Sequence, residues 1–232
     1  MTKNNDPNKE SLAEIAVDPD ILARELALEI ELDPLEQIDQ DAFSKGLNIT
    51  QECNEALNLL KGKREERIQG LRVFCEYRDQ RSFPFLLPLL DQPCPVERMS
   101  AVYALGRNPC PSAVQKLVSL LKTDDNAYVR RATAWSLANY DDQIVLEPLI
   151  NALKNDVASV RLWSSSSLAE IGNVSLENAQ LAAEQLLISL KIDNESGVRS
   201  NCIWSLCRLY EKLNNTFQES FVDECTKIAL FD

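Results

Sequence analysis

The sequence predicts an all-α chain organised as an α-α superhelix, a solenoid of about five stacked helix pairs. Three observations predict it. Leu and Ala are abundant, as helices prefer, and only 6 of the 232 residues are Gly. Arg67, Arg98, Arg130, Arg161 and Arg199 recur at intervals of 31, 32, 31 and 38 residues. Seven positions after each stands a large apolar side chain, namely Phe74, Leu105, Leu137, Leu168 and Leu206.

Seven residues are two helical turns, so each Arg and its Leu or Phe share similar faces of one helix. That helix is the second of a pair. The first is an apolar stretch ending eight or nine residues earlier: FPFLLPLL (83–90), AVQKLVSLL (113–121), VLEPLINAL (145–153) and AAEQLLISL (182–190). An acidic residue lies in each intervening turn: Asp91, Asp124 or Asp125, Asp156 and Asp193. Its carboxylate is expected to cap the second helix and favour that helix's positive end. Each pair leaves one apolar side that only a neighbouring pair can cover, so stacking builds a continuous core.

Two places depart from the pattern. The interval before Arg199 is longer, with the extra residues in IGNVSLENAQ (171–180), which predicts a longer loop or an added helical turn. Pro88 falls inside the first stretch, where an interior proline costs about 3 kcal/mol. That helix is expected to start late, at or just before Pro88, or to be kinked. At the N-terminal end, Thr50 or Asn48 is placed to cap a helix through Ala56, Leu57, Leu59 and Leu60. At the other end, 216–231 closes the stack. Lys, Glu and Gln in both segments supply the polar outer face that solenoid ends need.

Charge divides the chain into two parts. Residues 1–41 hold 12 acidic and three basic side chains, which leaves −3 of the net −12 for the other 191 residues. We read 1–41 as an acidic N-terminal segment, either partly disordered or a single docking helix. Asp18 and Pro19 favour a helix start there, and Ile21, Leu22, Leu26 and Ile30 follow at helical spacing. Residues 42–232 form the solenoid with its capping helices.

Several function classes are excluded or disfavoured. The basic footprint that nucleic acid requires is missing. The longest apolar run is the eight residues 83–90, far below the roughly 20 that a bilayer span needs. No export signal opens the sequence, and the expected location is the cytoplasm. Histidine is absent, which removes His-based acid–base catalysis and His metal ligands. The seven cysteines are irregularly spaced and contain no CxxC pair, so no self-contained zinc or iron–sulfur site is expected.

The repeat resembles HEAT repeats of the phycobilisome-lyase-like subclass across roughly 64–210, with LEPLINALKNDVASVRLWSSSSLAEIG (146–172) as the clearest copy. Longer strings are similar to small cyanobacterial HEAT-repeat proteins related to phycobilin lyase subunits and to IaiH-type proteins. They are LRVFCEYRDQRSFPFLLPLL (71–90), VYALGRNPCPSAV (102–114), ASVRLWSSSSLAEIG (158–172) and GVRSNCIWSLCRLY (197–210). The resemblance does not extend to 1–41.

In HEAT repeats the second helices usually line the concave face. Tyr103, Trp135 and Trp204 each follow a repeated Arg by five positions, and Trp163 lies two after Arg161. With Arg98, Arg107, Arg130, Arg131 and Arg161 they would make an aromatic and cationic groove for a protein partner, since these residue types dominate interface energetics. The repeated arginines would equally serve as an intramolecular ladder with the turn aspartates, and Trp135 and Trp204 as core. Cys202, beside Trp204, is the candidate thiol for a cluster shared with a partner. Buried core cysteines are the competing reading.

The resemblance implies a non-enzymatic adaptor whose partner would be an A-type iron–sulfur scaffold protein, with no cofactor of its own beyond a shared 2Fe–2S cluster. The alternative it implies is a phycobilin lyase or chaperone-like subunit that handles a bilin and acts on phycobiliproteins.

Overall fold

A computed structural model describes residues 49–231, with side chains described through Lys227. The acidic segment 1–41, its docking-helix reading and the boundary at 42 lie outside the described residues, as does Asn48. Among the described residues there are eleven α-helices and no strand.

The helices fall into five pairs and a terminal cap. The pairs are α1 (Ile49–Leu59) with α2 (Arg64–Glu76), α3 (Phe83–Leu89) with α4 (Pro95–Arg107), α5 (Val114–Thr123) with α6 (Ala127–Leu137), α7 (Leu146–Asn155) with α8 (Ala158–Gly172), and α9 (Leu176–Ile192) with α10 (Ser196–Leu209). The cap is α11 (Asn215–Phe231). Each second helix packs on the next, α2 on α4, α4 on α6, α6 on α8 and α8 on α10. The first helices touch one another less extensively, and the closely packed second helices are called the inner layer.

The apolar residues seven after each Arg lie between the layers. Phe74, Leu105, Leu137, Leu168 and Leu206 are all fully buried. They meet Leu86, Leu117, Leu149 and Leu186 of the first helices in one continuous core. At the C-terminal end Phe221 of α11 is buried, with its ring centroid 6.3 Å from that of Tyr210.

Both sequence departures resolve in local terms. α3 does not wait for Pro88; it begins at Phe83, with Pro84 in its first turn, and keeps Pro88 inside. Pro84 sits where its missing N–H costs nothing. Both prolines are exposed, so water can serve the carbonyl that Pro88 leaves without an N–H. The residues inserted before Arg199 lengthen the helices rather than the loop: α8 has 15 residues and α9 has 17.

The turn aspartates do not cap the second helices. The N-cap positions are Cys94, Asn126, Val157 and Glu195, and Asn126 accepts from the Tyr128 and Val129 amides. Asp124 and Asp193 instead accept the amide two residues on, at 2.9 and 3.0 Å, and Asp156 accepts that of Val157 at 2.7 Å. Each thereby braces its turn and aims a carboxylate at the preceding repeat. Asp91 has no such role; it pairs with Lys116 at the surface.

Candidate functional site

The repeated arginines form a ladder between repeats. Arg98 reaches Asp124 through Nε and Nη2 at 2.7 and 2.9 Å. Arg130 reaches Asp156 at 2.8 and 2.7 Å, and Arg161 reaches Asp193 at 2.7 and 2.7 Å. In each case Nη1 also donates to backbone carbonyls at the start of the same helix pair's turn. Arg67 makes the equivalent pair with Glu97, a carboxylate in the first turn of α4, through Nε at 2.8 Å and Nη2 at 2.6 Å. Planar two-point pairing is what a guanidinium does best.

The ladder also sets the carboxylates' acidity. Burial alone would raise the Asp124 carboxyl, but the hydrogen bonds from Arg98 and the Asn126 amide hold it below the usual carboxylate range. Asp193 behaves alike, with Arg161 and the Glu195 amide overcoming its burial. The repeat arginines Arg98, Arg130 and Arg161 are therefore committed to holding repeats together. The structure does not bring them into the aromatic groove expected from the sequence; Arg130 and Arg161 line separate small clefts near the ends of α7 and α9.

The aromatic residues do come together, on the inner layer. Tyr103 of α4 and Trp135 of α6 are half-buried, with ring centroids 5.3 Å apart and planes tilted by 54°. Gly106 makes the room: a methyl in its place would overlap the six-membered ring of Trp135. Beside them opens a cleft of about 350 Å³ lined by Trp135, Asn139, Trp163, Ser166, Glu170 and Trp204. Trp163 is 37% exposed and Trp204 46% exposed, so neither is core. Arg208 lies 4.9 Å over the Trp204 ring and pairs with Glu170 at 2.8 Å. Two tryptophans are thus left open to water around one cleft, and tryptophan is among the residue types that dominate interface energetics.

The serines of α8 place that cleft. Ser164, Ser165 and Ser167 are buried between α6 and α10, where small side chains let three helix backbones approach. Ser167 Oγ donates to the Ala134 carbonyl, and Ser205 Oγ to that of Ser165, both at 2.8 Å. Asn201 donates to the Leu162 carbonyl at 3.1 Å. Sequence reasoning passed over this Ser and Asn network, and over Gly106. Its only signal was the run SSSS (164–167) at the centre of the clearest repeat. Arg208 and Glu170 were also missed, because their role depends on pairing across two helices.

Two other expected residues keep a place on the inner layer. Arg107 is exposed at the end of α4 and donates to the Glu76 carbonyl at 3.0 Å. Arg131 is half-buried on α6, with its guanidinium 5.4 Å from the Tyr128 ring.

Cys202 is a correction. It faces the core with no exposed surface, on the far side of its helix from Trp204. Burial, with the Asp193 charge, pushes its thiol up to about 12. A sealed thiol of that acidity presents no thiolate to a partner's cluster. Among the described residues no three Cys, Asp or Glu side chains converge on a metal position.

Two overlapping stretches, 54–138 and 114–207, match the family of HEAT repeats. The chain belongs to the HEAT-repeat proteins. No curated protein matches its sequence. Among solved structures, it is similar to the complex of CpcE and CpcF of phycocyanin lyase from Nostoc sp. PCC7120. That likeness has 20% identity and a TM-score of 0.57, and it covers 66% of this chain and 98% of the other. At that identity the likeness concerns the helical fold. Among the described residues no helix is long and apolar enough to cross a membrane.

Proposed function

We propose that the protein is a binding subunit that docks another protein against the inner layer of second helices, centred on Trp135, Trp163 and Trp204. The observation that carries this reading is the exposure of Trp163 and Trp204 around one cleft, where they contribute nothing to the core. Interfaces concentrate their energy in such aromatic anchors, set in a surface that can exclude water around them. The reading requires only a complementary surface and no chemistry from this chain.

The test is capture of a native partner by the full chain and by the Trp163→Ala/Trp204→Ala variant. The partner is lost from the variant while its melting temperature stays near wild type. Undiminished capture by that variant would place docking elsewhere.

A second reading, favoured by the shared fold with a phycocyanin lyase complex, makes the docked protein a phycobiliprotein and this chain one subunit of a lyase or chaperone. Co-expression with a phycobiliprotein and a bilin supply tests it: chromophore attachment rising with this chain supports it, and attachment independent of the chain removes it. The iron–sulfur alternative has no comparable support, because its candidate thiol is sealed.

A further inference from the structure

Among the described residues α11 is the one helix outside a pair. Its contacts fix its direction. Tyr210 closes α10, and its ring meets that of Phe221 with centroids 6.3 Å apart. Gln218 donates to the Tyr210 carbonyl at 2.8 Å. Three residues beyond Phe221, Glu224 reaches Lys191 in the last turn of α9 at 3.6 Å. The end of α9 adjoins the start of α10, which follows after a short turn. α11 therefore runs back along α10, antiparallel to it.

Two thiols share this contact. Cys207 comes three residues before Tyr210, and Cys225 four after Phe221. In antiparallel helices both steps lead the same way, by about 4.5 and about 6 Å at 1.5 Å per residue. Around the axes they turn by about 60° and about 40°, both to the side away from α9 and opposite to Glu224. At an axis separation of about 9 Å, ideal helices hold the two Cα atoms about 6 Å apart, within the range that a disulfide bridges. The electrostatics agree: burial and then the charge of the Cys207 thiol push the Cys225 thiol up. Cys207 is exposed, whereas Cys225 is half-buried against the core.

We infer that Cys207 and Cys225 are a reversible redox pair, through which peroxide ties the capping helix α11 to α10. Exposed Cys207 meets the oxidant. Its thiolate attacks one oxygen of hydrogen peroxide, so that an S–O bond forms, the O–O bond breaks and hydroxide leaves. The Cys225 sulfur then attacks the sulfenic sulfur, forming the S–S bond and expelling the second oxygen. With the two thiol protons both oxygens leave as water, and the thiols have given two electrons to the peroxide. A thiol reductant reverses the bridge by exchange. Closing the loop 208–224 restrains a terminal helix that would otherwise open first. The inference is independent of the docking reading above.

The experiment treats the reduced full chain with hydrogen peroxide at low protein concentration, blocks the remaining thiols with N-ethylmaleimide and maps peptides without reduction. The expected product is a monomer that has lost two of its seven free thiols and carries a Cys207–Cys225 bridge, which dithiothreitol removes. Hydrogen exchange in α11 is expected to slow by at least about tenfold on oxidation. In Cys225→Ser the oxidation halts at the sulfenic acid, which dimedone traps on Cys207, and exchange in α11 stays at the reduced rate. Mapping of the unaltered chain decides the pairing even where circular dichroism shows the variant unfolded. No bridge after peroxide, a bridge only between two copies, or Cys207 carried to sulfinic acid with Cys225 still free overturns the inference. So does equal dimedone trapping in the wild type and Cys225→Ser, or a mapped bridge that leaves exchange in α11 unchanged.

Discussion

Arg130→Ala tests the inter-repeat ladder at its centre. Arg130 makes two charge-assisted bonds to Asp156 and one to the Asp124 carbonyl, with side chains only 18% and 12% exposed across the ion pair. Truncation strands a mostly buried carboxylate, and breaking a buried pair in this way costs about 3–5 kcal/mol. Residual exposure puts the expected loss near the lower end, about 3 kcal/mol. For a chain of this size that lowers the melting temperature by about 6–12 °C. Because a solenoid's stability is a sum over neighbouring repeats, the loss is local. Hydrogen exchange should accelerate at the junction of α5 and α6 with α7 and α8 before it does in α1 and α2. The companion variant Arg130→Met/Asp156→Leu removes both charges and should recover most of the loss. A melting temperature within about 1 °C of wild type for Arg130→Ala, against the expected 2–4 °C per kcal/mol, would refute the claim that the ladder joins the repeats.

Other expectations follow from the same structure. Acid should unfasten the ladder: Asp124 and Asp193 have their pKa held below the usual carboxylate range, so their contribution is present in full above about pH 4 and is lost as pH falls through their folded values. A thermal melting temperature that is flat from pH 5 to pH 2 would contradict this. Gly106→Ala should push the Trp135 ring from its seat, shift tryptophan emission and cost about 1–3 kcal/mol by overpacking; an unchanged spectrum would contradict the contact. Iodoacetamide at pH 8 should label exposed Cys207 in the native protein. It should reach Cys202 and Cys75 only on unfolding, because burial pushes those thiols up to about 12 and about 11. Peptide mapping that finds Cys202 modified at the rate of Cys207 would contradict its burial.

How far the sequence revealed this structure can be judged at particular residues. The helix pairs were legible because one Arg and one large apolar residue repeat at fixed spacing, and that spacing is imposed by the core itself. The structural role of the Arg was legible only as one of two alternatives, because pairing with Asp124, Asp156 or Asp193 is a relation between repeats. Capping by those aspartates was a wrong inference from a correct position. A carboxylate at the turn can serve the next helix or the preceding repeat, and the guanidinium won. Trp163 stood out only as an aromatic, and its exposure depends on the buried serines around it, whose close packing of α6, α8 and α10 no local pattern encodes. Cys202 was misjudged because Trp204, two residues on, is exposed, and two residues in a helix are about 200° apart.

The most direct test of docking on the inner layer is hydrogen exchange of the partner-bound full chain against the free chain. Protection is expected in α6, α8 and α10, around Trp135, Trp163 and Trp204, with exchange in α5 and α7 unchanged. Protection confined to the first helices would contradict it.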